Sequence, residues 1–241
     1  MAHGNNACRR WRGGLEAVSS TTAASRVCVD GGVLMKILMI DDHALFRAGL
    51  RLLLTSITSD AEVLEAASLD EAQRLQAHQP GISICLLDLM LDGHVGAGSI
   101  VRLRSFISPG VAVVVLSGDH DPDLVRACLD AGAMSFVPKH LSASGLGDAL
   151  RQVLAGRVYL PAELVHADGH QGPIPVLAPR QLEVLHALSR GLTPELIARG
   201  LGVPEQAVKE HLDSVFQALG VHNRTDAMVR AARLGLSWGP R

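Results

Sequence analysis

From Lys36 onward, short apolar runs alternate with amphipathic segments, and this alternation constrains the fold more than any other feature of the chain. The runs are 37–40, 63–64, 82–87, 111–116 and 136–137. Between them, Ala44 to Thr55 carries apolar residues at helical spacing. Ser68 with Glu71 forms a capping box ahead of Leu69 to Gln79, which Pro80-Gly81 ends. Asp121-Pro122 opens a further helix closed by Gly132, and another runs from Ser142 towards Gly156. Strands that are apolar throughout belong to a sheet covered on both faces. Right-handed strand-helix-strand units then predict an α/β, doubly wound, parallel five-stranded sheet, whose ligands bind at the carboxyl ends of the strands.

The chain divides around that unit. Residues 1–34 lack periodicity and are expected to be a disordered leader, with Met35 a candidate start. Residues 35–155 form the α/β unit. Residues 156–176, with Gly156, Pro161, Gly169, Gly172, Pro173 and Pro175, read as a linker. Residues 177–241 are all-α, with helices expected over 179–190, 194–200, 204–219 and 225–235. The formal charge of −2 conceals −5 over residues 36–155 and +2 over 176–241, so the two halves suit different partners. Only 3% of residues are aromatic, so the cores must be aliphatic. Cys8, Cys28, Cys85 and Cys128 form no C-x-x-C pair, which fits a reducing compartment. No run reaches the roughly 18 apolar residues of a membrane span. Arg9, Arg10 and Arg12 are not followed by the apolar block of a signal peptide. The expectation is a cytoplasmic protein without a membrane partner.

Asp41 and Asp42 directly follow the first strand, Asp88 ends the third, Ser117 the fourth and Lys139 the fifth. In a parallel sheet all five meet at one edge. One such Asp would read as a helix cap; five suitable residues at four strand ends read as a site. Three carboxylates together call for a cation, and Mg²⁺ suits an all-oxygen set. A carboxylate beside Mg²⁺ is a nucleophile towards phosphorus. Asp88 would attack, Lys139 and Mg²⁺ would balance charge, and Ser117 would offer a hydroxyl to a phosphoryl oxygen.

The segments M-K-I-L-M-I-D-D-H-A-L-F-R, L-L-D-L-M, V-V-V-L-S-G and A-G-A-M-S-F-V-P-K make residues 36–155 resemble a response-regulator receiver domain. The resemblance implies a flavodoxin-like fold, Asp88 as phosphoacceptor, and Asp41, Asp42 and Asp88 with the Met90 carbonyl as metal ligands. It places Ser117 and Lys139 in the phosphorylation pocket and makes Ser117 and Phe136 the switch pair. A sensor histidine kinase is the implied donor. The family usually has Pro four residues after the acceptor; here Asp92 stands there, so a changed loop shape is expected.

In the C-terminal part, Val208, Leu212, Val215, Phe216 and Leu219 form one apolar stripe after a short helix and a Gly-containing turn, as in a helix-turn-helix. The runs R-Q-L-E-V-L, A-R-G-L-G, A-V-K-E-H-L and L-G-V-H-N-R-T resemble the DNA-binding domain of NarL/LuxR-type regulators. This implies double-stranded DNA as partner, contacted from Gln206, Lys209, His211 and Arg224. It also implies an inverted-repeat operator and a homodimer, formed on phosphorylation, in which the last helix takes part. The whole reads as a phosphorylation-controlled transcriptional regulator and not an enzyme. Ala178 and Pro204 stand where the family has capping residues, and Glu210 and Asp213 put acid on the DNA face. These motivate the alternative, a phosphorylation-controlled protein-binding switch. A phosphoesterase is disfavoured because Asp88-Leu89-Met90 lacks a second Asp. His166, Asp168 and His170 read as linker; His43, next to the acidic pair, is within reach of the pocket but reads first as facing solvent or packing at a helix start.

Overall fold

The computed structural model describes residues 28–29, 32–33, 35–91, 94–166 and 176–236. A two-residue antiparallel pair, β1 (Cys28–Val29) and β2 (Gly32–Val33), comes first. The α/β unit follows as β3 (Met35–Ile40), α1 (Ala44–Ile57), β4 (Ala61–Ala66), α2 (Leu69–His78) and β5 (Ile82–Asp88). It continues with a hairpin of β6 (Met90–Leu91) and β7 (His94–Val95), then α3 (Ala97–Phe106), β8 (Ala112–Ser117), α4 (Pro122–Asp130), β9 (Ser135–Pro138) and α5 (Ala143–Leu154). Five strands pair in parallel in the order β4-β3-β5-β8-β9. β5 is thus central, and β3, although first among the five in the chain, is an interior strand whose carboxyl end lies beside that of β5. Every residue of β8 is buried, as expected of a strand covered on both faces. The caps sit where the sequence puts them: Ser68 Oγ accepts the Glu71 N–H, and the Asp121 carboxylate accepts those of Asp123 and Leu124.

Three segments differ from expectation. The antiparallel pair at 28–33 lies inside the expected leader, whose first 27 residues fall outside the described set. The loop after Asp88 is a β-hairpin, Met90 opposite Val95 and Leu91 opposite His94, around the Asp92-Gly93 dipeptide. Asp92, where a changed loop shape is expected, lies outside the described residues. The linker begins about ten residues late. Val158, Leu160 and Leu164 are buried in the receiver-side core, and α6 (Ala162–His166) lies within the expected linker. Phe136 N–H donates to the Tyr159 carbonyl (2.9 Å) and Tyr159 N–H to Ser135 Oγ (3.1 Å), so this stretch is tied to β9. Gly and Pro punctuated the stretch in the sequence, while three spaced aliphatics fix it in space. Asp168 and His170 lie outside the described residues.

The C-terminal unit has α7 (Pro179–Ser189), α8 (Pro194–Leu201), α9 (Glu205–Leu219) and α10 (Arg224–Arg233). Val208, Leu212, Val215 and Leu219 of α9 meet Val184, Leu185 and Leu188 of α7 in a second core. The Ala178 N–H is accepted by Gln181 Oε1 (2.8 Å), so Gln serves the half of a capping box that Ala178 leaves to it. Pro204 gives α9 no side-chain cap. Helix α10 is buried nearly all round. Ala227 and Ala231, one turn apart, enter the second core, while Met228 and Val229 enter the first. The two units therefore share one helix. Among the described residues no helix is long and apolar enough to cross a membrane.

Replacing Leu160 with Ala tests the late linker boundary. Leu160 is 5% exposed, so the cavity should cost about 2–5 kcal/mol, read as a lowered urea midpoint. A change below about 0.5 kcal/mol, the size expected of a surface position, would return the residue to the linker.

Candidate phosphoacceptor site and nucleic-acid interface

The carboxyl edge of the sheet brings Asp41, Asp42, Asp88, Ser117 and Lys139 together. Asp41, Asp88 and Ser117 are each no more than 1% exposed, and Asp42 is half-buried. Asp88 is in register with Leu116, one residue before Ser117. Lys139 N–H donates to the Ser117 carbonyl (2.7 Å), which fixes the end of β9 to the end of β8. Lys139 Nζ lies 2.7 Å from Asp41 Oδ2 and 2.7 Å from Asp88 Oδ2, and 4.5 Å over the Phe46 ring. Ser117 Oγ accepts the Asp119 N–H (3.2 Å), and Asp88 Oδ1 accepts that of Met90 (3.1 Å). Phe136, on β9 opposite Val115 of β8, is fully buried.

His43 opens α1 with its side chain exposed, as expected, and it also reaches the pocket. Its ring turns to the carboxylates, Nδ1 lying 2.7 Å from Asp42 Oδ1. Beyond these ion pairs, Asp42 Oδ1 and Asp88 Oδ2 are buried without a hydrogen-bond donor. Three carboxylates thus face one permanent cation, and the orphaned oxygens fit a divalent ion. The donor set of Asp41, Asp42, Asp88 and the Met90 carbonyl is the hard-oxygen set that Mg²⁺ takes.

At the other end of the molecule α9 presents Gln206 and Lys209 exposed, with His211 half-buried. Lys209 Nζ is 2.8 Å from Glu205, and Gln206 Nε2 is 3.4 Å from Glu210. The Glu205 hydrogen bond raises the Lys209 pKa. The basic groups of this face are partly matched by its own acids.

Arg224 is not on that face, which corrects the sequence expectation. Its guanidinium donates to the carbonyls of Leu129, Ala133 (3.0 Å), Leu188 (3.1 Å) and Ser189 (3.4 Å). With its donors satisfied between the two units, it is not offered to phosphate. Burial, then the neighbouring Arg104, pulls its pKa down to about 10. Arg104 reaches the opposite way, donating to the carbonyls of Val111 (2.9 Å), Gly132 (2.7 Å) and Arg190 (3.0 Å). Thr225 Oγ1 donates to Asp130, and Arg126 pairs with Asp226 at 3.4 Å. Gly132 and Gly191, both at positive φ, let these backbones approach. A Cβ on Gly191 would stand 2.6 Å from Arg104 and 2.9 Å from the Gly132 carbonyl. Sequence reasoning took Arg224 for a phosphate contact because a lone Arg carries no sign of burial; nothing local marked Arg104 either.

The family model of the response regulator receiver domain matches residues 37–151, and that of the bacterial regulatory proteins of the luxR family matches residues 175–231. The chain belongs to the response regulators with a LuxR-type DNA-binding domain. It is 34% identical over 209 residues to the glycerol metabolism activator of Pseudomonas putida, covering 81% of this chain and 94% of that protein. It is 32% identical over 207 residues to the nitrate/nitrite response regulator protein NarP of Escherichia coli, covering 80% and 93%. Among solved structures, the response regulator ChrA of a heme-sensing two-component system matches with 31% identity and a TM-score of 0.41, covering 83% of this chain and 97% of that one. These relatives are transcriptional regulators of two-component systems, and receiver and output are the two units described above.

Two outcomes are expected. Arg224→Ala should loosen receiver from output by about 1.5–3 kcal/mol for the lost charged hydrogen bonds, seen as a larger radius of gyration by X-ray scattering with helix content kept. His186, on α7, is held down to about 4 by burial and then by Arg190, against 6.5 when unfolded. The unfolded chain therefore takes the proton first, and output-domain stability should fall as pH drops from 6.5 towards 4. Thermal melts followed by circular dichroism should show that slope flattened in His186→Gln.

Proposed function

We propose that Asp88 is the phosphoacceptor of this response regulator and that a sensor histidine kinase is its donor. The observation that carries this is Lys139 bridging Asp41 and Asp88 at 2.7 Å beside a buried Ser117. Asp88 Oδ2 attacks the phosphorus of a phosphohistidine, the P–N bond breaks, and an aspartyl phosphate forms. Lys139 meets the added negative charge, and the Ser117 hydroxyl turns to a phosphoryl oxygen. Asp41, Asp42, Asp88 and the Met90 carbonyl would hold Mg²⁺, which when bound supplies the positive charge that the phosphoryl oxygens require. Phe136, beneath the same edge, is the aromatic partner of Ser117 in the switch.

On the output side, Gln206, Lys209 and His211 of α9 are the residues we assign to the major groove of double-stranded DNA. A homodimer on an inverted repeat would use α10, which here lies against its own receiver through Met228 and Val229. Phosphorylation then favours the arrangement in which α10 is released. This chemistry belongs in the cytoplasm, where kinase and DNA are both reached.

Asp88→Asn is expected to take up no phosphoryl group from acetyl phosphate, and Lys139→Ala to take it up far more slowly, both read by phosphate-affinity electrophoresis. Uptake by Asp88→Asn equal to that of the wild type would refute the assignment. DNA affinity should rise on phosphorylation of the wild type only. Its slope against log salt should stay shallow, about −0.9 per phosphate neutralised.

A further inference from the structure

Opposite its buried stripe, α9 presents a line of side chains without a positive charge. Val208, Leu212, Val215 and Leu219 are buried in the second core. With 3.6 residues per turn, Gln206, Glu210, Asp213 and Gln217 fall on the opposite side of the helix, and all four are exposed. Lys209 and His211 stand on the two flanks of that line. Ser214, exposed beside it, donates its hydroxyl to the Glu210 backbone carbonyl at 2.8 Å and so turns back onto the helix. Lys209 pairs back to Glu205 at 2.8 Å, four residues before it, and not forward to Asp213, four residues after it. Gln206 Nε2 donates to Glu210 Oε1 at 3.4 Å, which engages one of the two oxygens of that carboxylate.

A helix laid in the major groove brings its outermost line to the base edges and its flanks towards the phosphates, and its N-terminal residues do the reading. Gln206 and Glu210 lie in the first two turns of α9. A carboxylate accepts hydrogen bonds and donates none. Facing guanine it meets the N7 and O6 acceptors, and facing thymine the O4 acceptor. Facing adenine it gains the N6 amino group but meets N7 beside it. Cytosine alone offers an amino donor, on N4, with no acceptor next to it in this groove. A carboxylate set among acceptors gives up water without replacement, so wrong bases are rejected as well as the right one accepted. We propose that Glu210 is a specificity-determining residue, selecting cytosine in each half-site through its N4 amino group while the Gln206 amide steadies the carboxylate. The inference rests on α9 being the groove helix of the proposed function and adds the base it reads.

The full chain, treated with acetyl phosphate, is used to select duplexes from a randomised pool. The wild type should enrich half-sites with cytosine fixed at one position. Glu210→Gln keeps the size of an exposed side chain and supplies the acceptor and donor that suit adenine. It should lower the preference for cytosine at that position about 5- to 150-fold and leave the other positions unchanged. Asp213→Asn removes the same charge three residues on and should leave that position as it is. An enriched site without a fixed cytosine overturns the inference while DNA binding stands. So does a Glu210→Gln variant that binds every duplex more tightly but selects the same site, or an Asp213→Asn variant that relaxes the same position equally, since Glu210 is then a repulsive charge and no reader. No duplex enriched by the wild type at low salt, with or without acetyl phosphate, overturns both the inference and the DNA-binding function beneath it.

Discussion

Two carboxylates, Asp41 and Asp88, are buried side by side at the edge of the sheet, and the rest of the receiver is arranged around that cost. Taking an ionised carboxylate out of water costs several kcal/mol, and two of them also repel. Lys139 answers both from β9, and it can do so only because β9 is pinned to β8 through the Ser117 carbonyl. The Phe46 ring under the ammonium adds a second restraint on its position. One cation between two anions still leaves the cluster short of positive charge, with Asp42 and His43 at its mouth. That shortfall favours a metal ion, whose charge would also have to balance a phosphoryl group: the site is stable enough to persist and unbalanced enough to respond.

The second constraint lies at the other end of the same elements. β9 has four residues, so it spans only about 13 Å. The loop before it gives the Gly132 and Ala133 carbonyls to Arg104 and Arg224, and the residue after it is Lys139. The strand thus has one end in the interdomain contact and the other in the pocket. That contact has guanidinium to carbonyl bonds from both sides, with Arg104 close enough to Arg224 to help lower its pKa. Such bonds are directional, so a small shift of the strand or of α4 breaks several together. A switch from nearly all closed to nearly all open needs about 5.5 kcal/mol, which a few charged hydrogen bonds of this kind supply.

The five parallel strands were legible because buried strands read as continuous apolar runs, and the pocket because their last residues are the ones that matter. The C-terminal helices were legible within two residues at every end, since Gly202 and Gly220 both end helices in the left-handed conformation. The parts that were not legible depend on contacts distant in sequence. Val158, Leu160 and Leu164 sit among Gly and Pro, and only the receiver core makes them ordered. Arg224 reads as a surface cation until its carbonyl partners some 90 residues away are known. His43 reads as a poor helix cap, and its backbone N–H donates to the Asp41 carboxylate, a bond that no periodicity reports. Helix α10 shows one apolar surface in the sequence, and the structure divides it between two cores.

That division bears on how weak DNA contacts can still control transcription. Lys209 is paired with Glu205, and Glu210 and Asp213 lie on the same helix, so one output domain neutralises few phosphates. Each phosphate contact forgone lowers affinity, most of all at low salt. Two such domains joined by a common face bind a paired site far more tightly than either alone, because the second contact is made at high effective concentration. In the proposed homodimer α10 is the joining face, and in this arrangement its Met228 and Val229 lie in the receiver-side core. Under the proposed function, a recognition helix of modest charge would make the single domain weak on DNA, and control of α10 would become control of binding. A more basic α9 would bind without waiting for release, and the phosphorylation of Asp88 would have little left to regulate.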